Sequence, residues 1–211
     1  MEEKMEHTGK PYKKTRSSFI VAIDGLSGTG KSYLTNCLCK QYGFSGIDSG
    51  QMYRTATYYS LFHNMSIEEI CSRIDQWSFS DGQICLRDYD FKPAILYSAM
   101  IEDRVSAVSD NLNLRKAINQ RIRTICSCNG KWVICGRDVG TIIFPDADLK
   151  IVLCTKRPPL GRDYDDINRK NAKINFAEDA IILTFTQTYG VQEALKDIAD
   201  RIPNRYLNNK D

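Results

Sequence analysis

Gly25-Leu26-Ser27-Gly28-Thr29-Gly30-Lys31-Ser32 fits the spacing G-x-x-x-x-G-K-[ST], and its residue types define the chemistry it could support. Glycines let a loop wind back on itself so that its N–H groups converge on phosphate oxygens. The start of a following helix adds the positive end of its dipole. Lys31 would reach the outer phosphates as a point charge, and Ser32 would place a hydroxyl on Mg²⁺. Tyr33 follows within the same nucleotide-binding stretch. Such a loop works only between a buried strand and a helix. The apolar run Phe19 to Ile23 and the helix-favouring residues after Lys31 meet both conditions.

Three further clusters fall after apolar runs, where open α/β sheets bind their ligands. These are Asp48-Ser49-Gly50-Gln51-Met52-Tyr53-Arg54, Gly136-Arg137-Asp138-Val139-Gly140-Thr141 and Arg162-Asp163-Tyr164-Asp165-Asp166-Ile167-Asn168-Arg169. An Arg beside an Asp is commonly a surface ion pair of small consequence. Several arginines converging on a phosphate-binding loop are instead what phosphoryl transfer needs, because charge spreads onto oxygens that fixed cations stabilise.

The elements that must position these groups alternate. Strands are expected at 19–24, 44–48, 131–135, 149–155 and 180–184, with helices at 30–42, 50–64, 105–128 and 191–202. Gly43 is the expected C-cap of the first helix. This rhythm predicts a parallel, doubly wound sheet. Residues 65–104 interrupt it with a short helical piece at 66–75 and a hairpin signal at Asp81-Gly82, which reads as a small β-containing insertion. Residues 1–18 are polar and carry Lys13, Lys14 and Arg16, the composition of a disordered basic tail.

With 211 residues the chain suits one α/β domain with a small insertion. Its net charge of +3 suits anionic small molecules and falls short of a nucleic-acid binder's basic signature. The eight cysteines include two C-x-C pairs, Cys37/Cys39 and Cys126/Cys128, in helical stretches where positions i and i+2 diverge. Reduced thiols in a cytoplasmic protein are the expectation, with no membrane partner.

Taken together and in order, these motifs resemble those of the bacterial cytidylate kinases: A-I-D-G-x-S-G-x-G-K, then D-[ST]-G-x-M-Y-R, G-R-D-x-G-T with F-P-D-A, and R-D-x-x-D-x-x-R. The likeness covers about residues 19–202. It implies a P-loop NTPase fold of three layers around a central parallel sheet, with 19–211 as the kinase domain. Residues 65–104 would be its NMP-binding insertion and 156–176 a reduced lid. It implies a monomeric enzyme that moves the γ-phosphoryl of ATP to CMP or dCMP with Mg²⁺. By position, Lys31, Arg137, Arg162 and Arg169 would stabilise the transferring group. Arg54, Arg137 and Arg169 would hold the acceptor phosphate, with Ser49 beside them, and Arg162 and Asp166 the sugar. Ser106 and Arg115, on one long helix, would read the base together with Asp138.

The chain departs from the family pattern in three places. Cys135 stands where relatives carry an acid before G-R-D, and a thiol is a poor partner for hard Mg²⁺, so Asp24, Asp48 and Asp138 are candidates to compensate through water. Ser32 occupies a position that is usually small in the family and favours metal binding. Lys156-Arg157-Pro158-Pro159-Leu160-Gly161 replaces a longer arginine-rich lid, and tandem prolines cannot sit inside a helix. These departures leave open a nucleotide-binding or regulatory protein with impaired catalysis, and a kinase for another small acceptor.

Overall fold

Consecutive apolar residues suit a strand covered on both faces, and Ser18–Asp24 forms such a strand, buried along its whole length. The structure, a computed structural model, describes residues 18–80, 83–86, 93–156 and 175–207. Its strands are β1 (Ser18–Asp24), β2 (Ser45–Asp48), β3 (Trp77–Ser80), β4 (Gln83–Leu86), β5 (Gly130–Gly136), β6 (Leu149–Thr155) and β7 (Ile181–Phe185). Its helices are α1 (Lys31–Tyr42), α2 (Ser49–Phe62), α3 (Ile67–Arg73), α4 (Ala99–Ser109), α5 (Leu112–Cys126), α6 (Val191–Ala199) and α7 (Asn204–Leu207).

Five strands make one parallel sheet in the order β2-β5-β1-β6-β7. Alternation along β1 sends Ile20 and Ala22 into a core shared with α2, α4 and α5. Phe19, Val21 and Ile23 enter a second core with Leu34 and Leu38 of α1 and with Ala194, Leu195 and Ile198 of α6. The result is the three-layer α/β fold that the strand and helix rhythm predicts. β1 sits at its centre, with every C-terminal strand end pointing the same way. Gly43 closes α1 in the left-handed conformation, its N–H donating to the Cys39 carbonyl at 2.9 Å.

Between α2 and α4, β3 and β4 pair antiparallel with Ser80 opposite Gln83. The turn residues Asp81 and Gly82 lie outside the described set. This region shares the sheet's core: Ile70, Ile74, Trp77, Leu96 and Ile101 join the cluster that holds Met52 and Tyr59. Residues 1–17 and 157–174 also lie outside the described set, and with them most of the tail and the shortened lid segment.

One expectation is corrected. Residues 105–128 do not form a single helix: α4 ends at Ser109, and α5 begins at Leu112 after Asn111 takes an extended backbone. Asn111 acts as an N-cap, its side-chain oxygen accepting the Leu114 N–H at 3.0 Å. The apolar spacing runs through this break because both helices pack on one core, so periodicity alone could not reveal it. Ser106 and Arg115 therefore sit on different helices. Smaller differences include the π-helical turn Val139–Ile143 and the short α7, neither of which has a periodic signal.

The cap makes a quantitative expectation. Asn111→Ala should lower the unfolding free energy by about 1 kcal/mol in urea titrations. An unchanged midpoint would mean that the break is held by packing alone.

Candidate active site

The phosphate-binding loop leaves β1 after Asp24 and returns as α1 at Lys31. Two of its glycines are required by their surroundings. Gly25 has φ +157° and lies against the Leu153 carbonyl of β6, so a Cβ there would strike backbone. Gly30 has φ +93°, and a Cβ there would come within 3.1 Å of the Phe185 ring. Inside the loop, Thr29 Oγ1 donates to the Leu26 carbonyl at 3.0 Å. Lys31 Nζ donates to the same carbonyl at 2.6 Å, which holds the ammonium over the loop. Burial lowers the Lys31 pKa, and Arg137 lowers it further against the opposing pull of Asp48 and Asp24. Tyr33 points outward and is exposed.

Strand register decides what stands beside this loop. Asp48 at the end of β2 pairs with Cys135 of β5, and Asp24 at the end of β1 pairs with Gly136. Ser32 Oγ donates to Asp48 Oδ2 at 2.5 Å, while Asp48 Oδ1 accepts the Gly50 N–H at 2.9 Å and caps α2. Ser49, buried, packs so closely on Gly136 that a Cβ at Gly136 would lie 2.5 Å from its hydroxyl. Cys135 is buried, and burial pushes its thiol well above its usual range.

The buried Asp24 carboxylate receives two N–H groups, Val139 on Oδ1 and Gly140 on Oδ2, each at 2.8 Å. These bonds fold Gly136-Arg137-Asp138 against the end of β1. Burial raises the Asp24 pKa to about 6, against the lowering effect of the two N–H donors, with a smaller push from Asp138.

Two arginines are held by protein groups. Arg54 of α2, only 8% exposed, donates to the Leu96 carbonyl at 2.7 Å and pairs with Glu102 at 2.9 Å. Its guanidinium also lies 4.7 Å from the Tyr97 ring centroid. Arg115 of α5 pairs with Asp138, donates to the Ser109 carbonyl at 3.2 Å and faces the Tyr53 ring. The structure thus brings Arg115 to Asp138 from different elements and joins both, through Tyr53, to the helix that carries Arg54. Ser106 is half-buried one turn before Ser109, whose hydroxyl donates to the Ser106 carbonyl. Arg137 is half-buried beside Asp138. Arg162, Asp166 and Arg169 lie outside the described residues. Tyr97 and Glu102 escaped the sequence reading. They reach Arg54 from more than forty positions away, and no local pattern marks such a contact.

Comparison with known proteins follows this geometry. The cytidylate kinase family model matches residues 21–158. A cytidylate kinase of Streptococcus pyogenes serotype M5 (strain Manfredo) is 30% identical, the match covering 86% of this chain and 96% of that protein. A cytidylate kinase of Streptococcus pneumoniae (strain Hungary19A-6) is 29% identical over 84% of this chain and 94% of that protein. Among solved structures, TT1252 from Thermus thermophilus matches with a TM-score of 0.46 and 14% identity, covering 90% of this chain and all of that one. Thymidylate kinase from Candida albicans matches with a TM-score of 0.39 and 11% identity, covering 87% of this chain and 90% of that one.

Asp24 makes stability depend on pH with a definite sign. Its carboxyl titrates at about 6 in the fold against an ordinary 3.8, so the native state binds the proton more readily than the unfolded chain. The stability this contributes is fully present below 3.8 and is lost as pH rises through 6. Urea melts from about pH 3.5 to 7.5 should show wild type losing on the order of 2 kcal/mol relative to Asp24→Asn. Parallel curves would show that the Asp24 carboxyl titrates alike in the folded and the unfolded chain.

Proposed function

Because the chain belongs to the cytidylate kinase family, and is by that membership a nucleoside monophosphate kinase, we propose that it transfers the γ-phosphoryl group of ATP to CMP or dCMP, giving CDP or dCDP. The Arg115–Asp138 pair carries this reading: a guanidinium from α5 meets a carboxylate on the loop that leaves β5. Cytosine presents an N4 amino donor and O2/N3 acceptors, a pattern that a carboxylate and a guanidinium can satisfy at once. Uracil presents a carbonyl where cytosine has the amino group, and would set an acceptor oxygen against the carboxylate.

On this reading catalysis is positioning plus charge stabilisation, with no covalent intermediate. The loop amides and Lys31 hold the donor phosphates. Arg54 of α2 would anchor the acceptor phosphate, and Arg137, directly after β5, would hold that phosphate and stabilise the transferring group. Arg162 and Arg169 complete the cationic set in the assignment by motif. Mg²⁺, when bound, would offset the negative charge of the phosphates. The Ser32 hydroxyl is a hard oxygen donor at the head of α1 and suits that ion, whereas the buried Cys135 thiol does not. Cys37, Cys39, Cys71, Cys126, Cys128, Cys135 and Cys154 are free thiols, which supports a reducing cytoplasmic setting. Among the described residues no helix is long and apolar enough to cross a membrane. The reading takes the protein as a monomer acting on small molecules, with no nucleic-acid partner.

ADP release from ATP and Mg²⁺ should be fastest with CMP or dCMP and much slower with UMP or AMP. A folded protein that releases no acceptor-dependent ADP would sink the proposal. Lys31→Ala should abolish most turnover without lowering the melting temperature. Asp138→Ala should cut kcat/KM for CMP roughly 100-fold while changing the UMP reaction far less. Equal losses on both acceptors would remove Asp138 from base recognition.

A further inference from the structure

In P-loop enzymes the Ser or Thr after the loop lysine works with a carboxylate on a neighbouring strand to hold the metal–nucleotide complex. β1 lies between β5 and β6, and Cys135, one residue before the end of β5, has a sulfur that is soft, buried and unsuited to Mg²⁺. A carboxylate must come from elsewhere, and three aspartates stand at the same end of the sheet. Asp24 has both oxygens committed, one to the Val139 N–H and one to the Gly140 N–H. Asp138 is committed to Arg115. Asp48 also has both oxygens bonded, but one partner is the hydroxyl of Ser32, the residue that follows the loop lysine.

Asp48 ends β2, one strand further out, and the β2–β5 register sets it directly beside Cys135. Its Oδ1 is fixed by the Gly50 N–H at 2.9 Å, which orients Oδ2 toward the Ser32 hydroxyl at 2.5 Å. Ser32 and Asp48 also border an open cavity of about 400 Å³ between α1 and β2. Mg²⁺ keeps several of its waters when bound, and open space beside a carboxylate leaves room for them.

We propose that Asp48 is the positioning carboxylate of the metal–nucleotide site, acting through Ser32 and through water in the place left by Cys135. The assignment rests on the kinase reading above. It explains why the hydroxyl of Ser32 and the thiol of Cys135 can occur together in a working enzyme: the carboxylate has moved one strand outward, and the serine supplies the group that connects it to the phosphate loop. Asp48 thereby links the start of α1 to the start of α2, the helix that carries Arg54.

The test measures metal binding separately from turnover. Asp48→Asn keeps an oxygen for the Gly50 N–H and removes the charge. Mn²⁺ binding in the presence of ATP, followed by electron paramagnetic resonance, should weaken at least tenfold in this variant. ATP affinity measured in EDTA should change less than twofold. Ser32→Ala, which leaves the α2 cap intact, should give a similar Mn²⁺ loss, and the double variant should be no worse than either single one. Cys135→Asp in the Asp48→Asn background should recover most of the Mn²⁺ affinity by returning a carboxylate to β5. Mn²⁺ affinity within twofold of wild type in Asp48→Asn overturns the proposal, as does an equal loss of ATP affinity in EDTA. If Asp48→Asn does not fold, Ser32→Ala decides alone, and unchanged Mn²⁺ affinity there overturns the proposal. Wild-type protein that binds no ATP in EDTA would sink the kinase reading and the assignment with it. Normal ATP binding and CMP-dependent turnover, with unaltered Mn²⁺ affinity in the variants, would sink the assignment alone.

Discussion

The site depends on one buried carboxylate. Asp24 stands at the end of the central strand, where burying a charge is unfavourable unless hydrogen bonds replace lost water. The N–H groups of Val139 and Gly140 supply them, and in doing so bind the loop after β5 to the end of β1. Both sides of the contact are constrained. A Cβ at Gly140 would lie 3.3 Å from Asp24 Oδ2 and 3.4 Å from the Lys150 stem, so a larger residue there would press on the clamp. Because β1 also launches the phosphate loop, one clamp sets the position of Arg137 and Asp138 relative to Lys31.

Around this clamp the cations are held in place by the protein itself. Arg54 lies among a carbonyl, a carboxylate and a tyrosine ring, and Arg115 among a carbonyl, Asp138 and another tyrosine ring. Buried ion pairs of this kind add little net stability, since desolvation offsets much of the attraction. Their effect is to fix the rotamers of both guanidinium groups, which on the proposed function would lower the ordering cost of binding substrate. The aromatic faces contribute through the ring quadrupole and keep bulk water from both guanidinium groups.

Local sequence carries the skeleton of this arrangement. The run Phe19 to Ile23, the glycine spacing before Lys31 and the Gly43 cap are short-range signals, and each element appears within a residue or two of its expected place. The break at Asn111 was hidden for a physical reason. Apolar spacing reports the face turned to a core, and α4 and α5 turn their faces to the same core on either side of the cap. The partners of Arg54 were hidden because Leu96, Tyr97 and Glu102 lie more than forty positions from it in sequence, and no local pattern marks a contact of that range.

By itself the sequence determined the chemistry available: a phosphate loop, arginines and aspartates after strands, and a serine after the lysine. Those are properties of residue type and spacing, and short-range sterics and periodicity express them directly. Only the tertiary structure decided which groups meet. β2 and β1 are separated in the sheet by β5, whose residues lie more than eighty positions later, so the pairing of Asp48 with Cys135 and of Asp24 with Gly136 exists only once the parallel register forms. Register is set by burying both faces of the sheet at once, a constraint on the whole chain that no local stretch contains.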